Sequence, residues 1–194
     1  MHKTEAIILS VRKSGEADEL VNFYTKDFGK LLIKARSAKK ITTRQGNFLH
    51  TPSIVYCGFV STRAGYALSG IKNIREYPNI SGNIFALGFV SSFLELSDSV
   101  LQYEQKDEKL WNLLVRVLEE ASGTVGKKDA KQVLWRMEKA WLLTLLAVLG
   151  LRPEKLKLSN IKSASGLDAY IQRILQDKFE RRIYFFGLKI KNEN

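Results

Sequence analysis

Within fifteen consecutive positions the chain places Lys30, Lys34, Arg36, Lys39, Lys40 and Arg44, with no acidic residue among them. Cations at this density suit a polyanion. Each neutralised phosphate releases condensed counterions, and Arg36 and Arg44 can each fork two hydrogen bonds to one phosphate. Aromatic rings lie close by in sequence: Phe23, Tyr24, Phe28 and Phe48. Phe23 is expected to be core, while Phe28 and Phe48 are the expected exposed rings for stacking on bases. Contact with about five or six phosphates predicts a slope of log K against log salt of about −4 on single strands. No recognition helix or zinc-finger spacing accompanies the cations, so binding is expected to be largely independent of base sequence.

Residues suited to covalent or metal chemistry are sparse. Gly65-Tyr66-Ala67-Leu68-Ser69-Gly70-Ile71-Lys72 has the glycine spacing of a phosphate loop. However, Ile71 displaces the lysine, no Ser or Thr follows, and the run reads as a strand with two glycines. Gly123 to Lys128 is a second glycine–lysine cluster, and its position between two helical patterns makes it a connecting loop. Neither His2 nor His50 has an acidic neighbour and a Ser or Cys in a recognisable local motif, although a triad assembled from distant residues stays open at this level. Glu16, Asp18 and Glu19 read as a solvated turn, and Glu119 with Glu120 as a helix end. Cys57 lies in the apolar run Ile54 to Val60 and reads as a small core residue. No catalytic residue and no cofactor emerges, and an enzyme with a basic pocket is left without a residue to carry turnover.

Composition bounds the rest. The chain has 194 residues, 31 Lys and Arg against 20 Asp and Glu, one Cys and two His. A single Cys excludes an internal disulfide framework, and one Cys with two distant His excludes a structural zinc site. The formal charge of +11 divides unevenly: residues 1–80 hold 13 basic and 6 acidic groups, and residues 81–194 hold 18 and 14. The smaller part therefore carries most of the excess, around the one acid-free stretch. The start, Met1 to Leu9, lacks the pattern of a secretory signal. The longest apolar run, Trp141 to Leu149, is about half of what a membrane span needs. A cytoplasmic protein with no membrane contact is the expectation.

The elements that must position the cations change character near Pro78. Before it come five strand candidates, Thr4–Val11, Glu19–Lys26, Gly29–Arg36, Ser53–Thr62 and Tyr66–Arg75, separated by turn residues such as Ser14-Gly15 and Arg63-Ala64-Gly65. Short strands at this spacing predict a small antiparallel barrel or sandwich. Lys34 and Arg36 share one face of the third strand, and Ser37 to Gly46 reads as a polar loop. After it, helical spacing begins at Asn83, resumes behind the capping residue Asp107, and runs longest from Asp129 to Leu149. Gly150 and Pro153 stop that last helix. Ser165-Gly166-Leu167-Asp168 has the form of a helix start, leading into a final helix with Tyr170, Ile171, Ile174, Leu175 and Phe179 on one face. The organisation is a β domain over residues 1–80 and a helical domain over 81–194.

Several of these runs together resemble a known family. Glu5-Ala6-Ile7-Ile8-Leu9, Gly15-Glu16-Ala17-Asp18-Glu19-Leu20-Val21, Phe23-Tyr24-Thr25, Gly29-Lys30-Leu31 and Ala35-Arg36-Ser37-Ala38-Lys39-Lys40 are similar to the N-terminal OB-fold of RecO, the bacterial recombination mediator family. The order of helices, the Leu149-Gly150-Leu151-Arg152-Pro153 ending and the closing Phe179 to Ile190 extend the resemblance over nearly the whole chain. It implies an α+β protein, a five-stranded antiparallel OB-fold barrel followed by an all-α domain. It also implies a non-catalytic role in DNA repair and recombination. RecO-like proteins bind single- and double-stranded DNA, anneal complementary strands, and act with RecR and single-stranded-DNA-binding protein to help load RecA. Residues matching the family's DNA-contacting surface are Lys34, Arg36, Lys39, Lys40 and Arg44. For the acidic, Phe-ended tail of the single-strand-binding protein, the long helix offers Lys131, Arg136 and Lys139. A nucleoid-associated cytoplasmic location follows from the same resemblance.

Two departures stand out. Thr42-Thr43 replace some of the cations and small residues usual in the basic loop, which lowers the expected affinity. Many family members also carry four cysteines and zinc in an insertion after the long helix; here Arg152 to Ser165 holds none, so a chain without zinc is expected. OB-folds serve RNA as well, and a factor acting on tRNA or the ribosome is the competing reading of the same barrel and charge.

Overall fold

The computed structural model describes residues 1–36, 49–151 and 164–179. Five strands, β1 (His2–Ser14), β2 (Asp18–Thr25), β3 (Gly29–Ala35), β4 (Ser53–Thr62) and β5 (Gly65–Glu76), close into a barrel in the order β1-β2-β3-β5-β4. This is the OB-fold barrel expected from the sequence, with one correction to its antiparallel description. The β3–β5 seam is parallel, with Ile33 opposite Tyr66 and Lys34 opposite Ala67. Five is an odd number, so strands around a closed ring cannot alternate direction at every seam.

The continuous apolar run Ala6-Ile7-Ile8-Leu9 is explained by burial of β1 on both faces. Ala6 and Ile8 point into the barrel with Val21, Phe23, Leu31, Ile33, Val55 and Phe59. Ile7 and Leu9 point outward into a second core that contains Tyr24, Ile54 and the helices. A bulge between Ile8 and Ser10 lets Leu9 and Ser10 follow one another on the outer side. Leu9 thereby joins the helical core, while Ser10 reaches a carboxylate of the first long helix.

The helices among the described residues are α1 (Pro78–Ser81), α2 (Ile84–Val100), α3 (Glu108–Thr124), α4 (Ala130–Val148) and α5 (Ala164–Phe179). Asn83 caps α2 by accepting hydrogen bonds from the amides of Phe85 and Ala86, and Asp107 caps α3 through those of Lys109 and Leu110. Gly150, at φ 75°, ends α4 in the left-handed region that glycine tolerates. The change from strand to helix falls between Glu76 and Pro78, yet the apolar core runs across it through Ile7, Leu9, Tyr24 and Ile54. Among the described residues no helix is long and apolar enough to cross a membrane.

Candidate nucleic-acid interface

Strand register brings separate parts of the sequence together on the outer face of β1, β2 and β3. Arg12 lies opposite Leu20, which lies opposite Lys34; one step on, Ser10 lies opposite Asn22 and Asn22 opposite Leu32; further on, Ile7 pairs with Tyr24 and Tyr24 with Lys30. Because neighbours across a sheet share a face, these three rungs form one surface. The outer face of strands 2 and 3 is where OB-folds take up oligonucleotides.

The two ends of this surface differ. At the Tyr24–Lys30 end the face is covered. Lys30 is only 4% exposed. Its ammonium donates to the carbonyls of Asp98 and Leu101 at the end of α2 and pairs with the Asp98 carboxylate at 2.9 Å. Asp98 also accepts from Ser10 at 2.7 Å and from Asn22 at 3.0 Å. The Tyr24 hydroxyl donates to the Asp107 carbonyl and accepts from the Asp107 amide, and burial pushes that phenol up to about 12. The connector between α2 and α3 is held along β3: Lys30 bridges to Tyr103, and the Glu104 amide donates to the Lys30 carbonyl at 2.9 Å. Gly29 permits this approach. Its φ is 71°, and a Cβ there would collide with the Gln105 carbonyl.

At the Leu20 end the face is open. Lys34 has a side chain 42% exposed, in a 3.0 Å ion pair with Asp18. Arg12 is 66% exposed and lies 3.8 Å from Asp98, whose charge Lys30 already balances. Arg36 sits exposed in the turn just past β3, not on the strand, and leads toward Lys39, Lys40 and Arg44. Those three, with Phe48, lie outside the described residues.

The structure therefore changes the sequence-derived set. Lys34 and Arg36 stay on an accessible surface. Lys30 does not, because the helical part claims its charge before any phosphate could. Phe28 sits in the β2–β3 turn, packed edge-on against His2 and Phe59 at ring distances of 5.3 Å beside a cavity of about 320 Å³. Leu20 and Thr25 are five residues apart, so this turn is about 17 Å from the Arg12–Leu20–Lys34 rung. Arg12 is absent from the sequence-derived set. It is isolated from the basic stretch, and only the register of β1 on β2 and β2 on β3 discloses it; the alternation of β1 marks it merely as outward-facing.

On the long helix, Lys131 and Arg136 are exposed, with Lys131 over the Phe85 ring at 5.0 Å. Lys139 is a correction: it is buried, pairs with Asp168 of α5 at 2.8 Å, and lies over the Trp135 ring. Asp168 accordingly ties α5 to α4. Glu119 meets Arg75, and Glu120 accepts from the Trp141 indole at 2.8 Å, so the carboxylates at this helix end are structural. Cys57 is fully buried in the barrel, where burial pushes its thiol up to about 12. With that as the one cysteine, the donors of a four-cysteine zinc site are not in this sequence.

Comparison with known proteins agrees with the barrel fold. Residues 1–75 match the family described as Recombination protein O N terminal. That match covers the barrel and stops short of the first helix. Beyond it, the chain is similar to curated proteins named DNA repair protein RecO. It is 26% identical over 153 residues to that of Listeria monocytogenes serotype 4b, 29% over 153 to that of Alkaliphilus metalliredigens, and 26% over 160 to that of Bacillus mycoides. These alignments cover 79%, 78% and 78% of this chain and 57%, 59% and 58% of the respective relatives. The chain thus spans less than two thirds of the length of these RecO proteins.

Proposed function

We propose that the chain is a DNA-binding mediator of recombinational DNA repair that binds without catalysis and anneals complementary strands. The observation that carries this reading is the open end of the outer barrel face. Arg12 and Lys34 flank the apolar Leu20 on one rung, and Arg36 continues toward the acid-free basic stretch. Two cations about a strand's width to either side of an apolar centre suit a phosphate backbone running over the sheet while its bases meet nonpolar surface. Holding two strands on one such face lowers the repulsion between them and raises their local concentration while bases pair. Support also comes from the RecO relatives, whose name assigns them to DNA repair.

RecR, the acidic tail of the single-stranded-DNA-binding protein, and RecA at one remove are the partners that go with this reading. For the tail, the exposed Lys131 and Arg136 are the candidate cations on α4, and Lys139 is withdrawn from that list. The test is annealing of labelled complementary oligonucleotides at low salt, with tRNA as competitor. Accelerated annealing that tRNA competes for weakly is the expected result. No acceleration together with tight tRNA binding would overturn the reading in favour of an RNA-binding factor. Mixing the chain with a RecR protein and sizing the complex tests the partner.

A further inference from the structure

Among the described residues, Tyr103 is one of the few large hydrophobic side chains the fold leaves exposed, at 49%. It belongs to the connector between α2 and α3, but three contacts seat it on the barrel. The Lys30 ammonium lies 4.4 Å from the ring centroid, the hydroxyl donates to Asn22 Oδ1 at 3.1 Å, and the backbone bridges to Lys30. A ring held at one face, its edge and its backbone has lost most of its rotamer freedom before any ligand arrives. With Lys30 over one face, the opposite face is the one left for a ligand to meet. The ammonium beneath the ring is attracted to its π-face and helps to hold it in place.

The position matters as much as the restraint. Asn22 occupies the middle rung of the β2–β3 surface, beside Leu32, which is 38% exposed. Leu20, at the centre of the cationic rung, is two residues away on the same strand, about 7 Å. One nucleotide can therefore set its phosphate against Arg12 or Lys34 and its base against the Tyr103 ring. We propose that Tyr103 is a base-stacking platform for single-stranded nucleic acid, supplied to the OB surface by the helical connector. The ligand class is an unstacked nucleobase of any identity, because every base has a π-face. This platform rests on the DNA-binding reading above and replaces Phe28 as the described aromatic at the interface.

The experiment measures binding of a fluorescein-labelled single-stranded thymidine oligomer over a series of salt concentrations to the full chain and to Tyr103→Ala, Tyr103→Phe and Tyr103→Trp. Tyr103→Ala is expected to bind about tenfold more weakly. Its salt slope should be unchanged, because no phosphate contact is lost. Tyr103→Phe keeps the ring and should bind within about twofold of the parent. Tyr103→Trp should show fluorescence quenching on saturation beyond that of the parent with its three native tryptophans, which reads stacking directly even if the alanine variant loosens the connector. Parent affinity in the alanine variant, an equal loss in the phenylalanine variant, or no added quenching in the tryptophan variant would overturn the platform while leaving DNA binding standing. Absence of binding by the parent chain itself would overturn the DNA-binding reading, and the platform with it.

Discussion

Lys30 and Lys34 are the same residue type, four positions apart on β3, and they point to the same outer face. One is sealed beneath the helical part, paired to Asp98; the other stands half-exposed beside Asp18 at the open end. The difference lies in what covers them. Where α2 and its connector reach the sheet, a lysine becomes a tie between barrel and helices; where the cover ends, a lysine is left for solvent and ligand. Burial turns the first into a stability element, because desolvation makes an unpaired charge there costly. Exposure leaves the second nearly neutral for stability and available for long-range attraction of a polyanion.

This contrast can be broken most easily at its covered end. Lys30→Met strands a buried carboxylate and should lower stability by about 3–5 kcal/mol in urea unfolding, whereas Lys34→Met should change it by no more than about 0.5 kcal/mol. Adding Asp98→Leu to Lys30→Met should restore most of the loss, since the orphaned charge is then gone. Similar small effects at both lysines would mean the cover is loose. Gly29→Ala is next in size. It combines an unfavourable positive φ with a collision at the Gln105 carbonyl, and should cost about 2–3 kcal/mol by the same measurement.

At the open end the readout moves from stability to binding. Arg12→Gln with Lys34→Gln should leave the unfolding midpoint in place, weaken single-stranded DNA binding about tenfold, and reduce the salt slope by about 1.4. An unchanged slope would show that phosphates run elsewhere. The smallest effect belongs to pH. The folded chain holds the Tyr24 phenol protonated up to about 12 instead of its ordinary 10, because it is buried against the start of α3. The unfolded chain ionises first, so this contribution to stability is complete below about pH 10 and fades as pH rises toward 12. Tyr24→Phe should flatten the decline in urea midpoint over that window, and an unaltered decline would place its cause in other groups such as Cys57.

Much of this was legible in residue types. The turn residues, the alternation of the early strands and the cap at Asp107 read directly, because turn chemistry and capping are local. So did the barrel core positions Phe23 and Cys57, and the concentration of positive charge in the first 80 residues. What sequence spacing could not reveal was which cations compete with one another for partners. Asp98 lies 68 positions from Lys30, and Asp168 lies 29 from Lys139. Both lysines look like surface cations until the chain folds a carboxylate onto them. Strand register brought Arg12 to the candidate interface, and the distance of the β2–β3 turn took Phe28 away from it.

The sequence by itself determined the classes of element, their order and the excess of positive charge in the first 80 residues, because propensity, patterning and net charge need only neighbouring residues or sums over the chain. Tertiary structure alone decided which end of the β2–β3 face is free. That choice depends on strand register and on the docking of α2, which bring residues far apart in sequence to within hydrogen-bonding distance. A charge is left for a ligand only where the fold has not buried it.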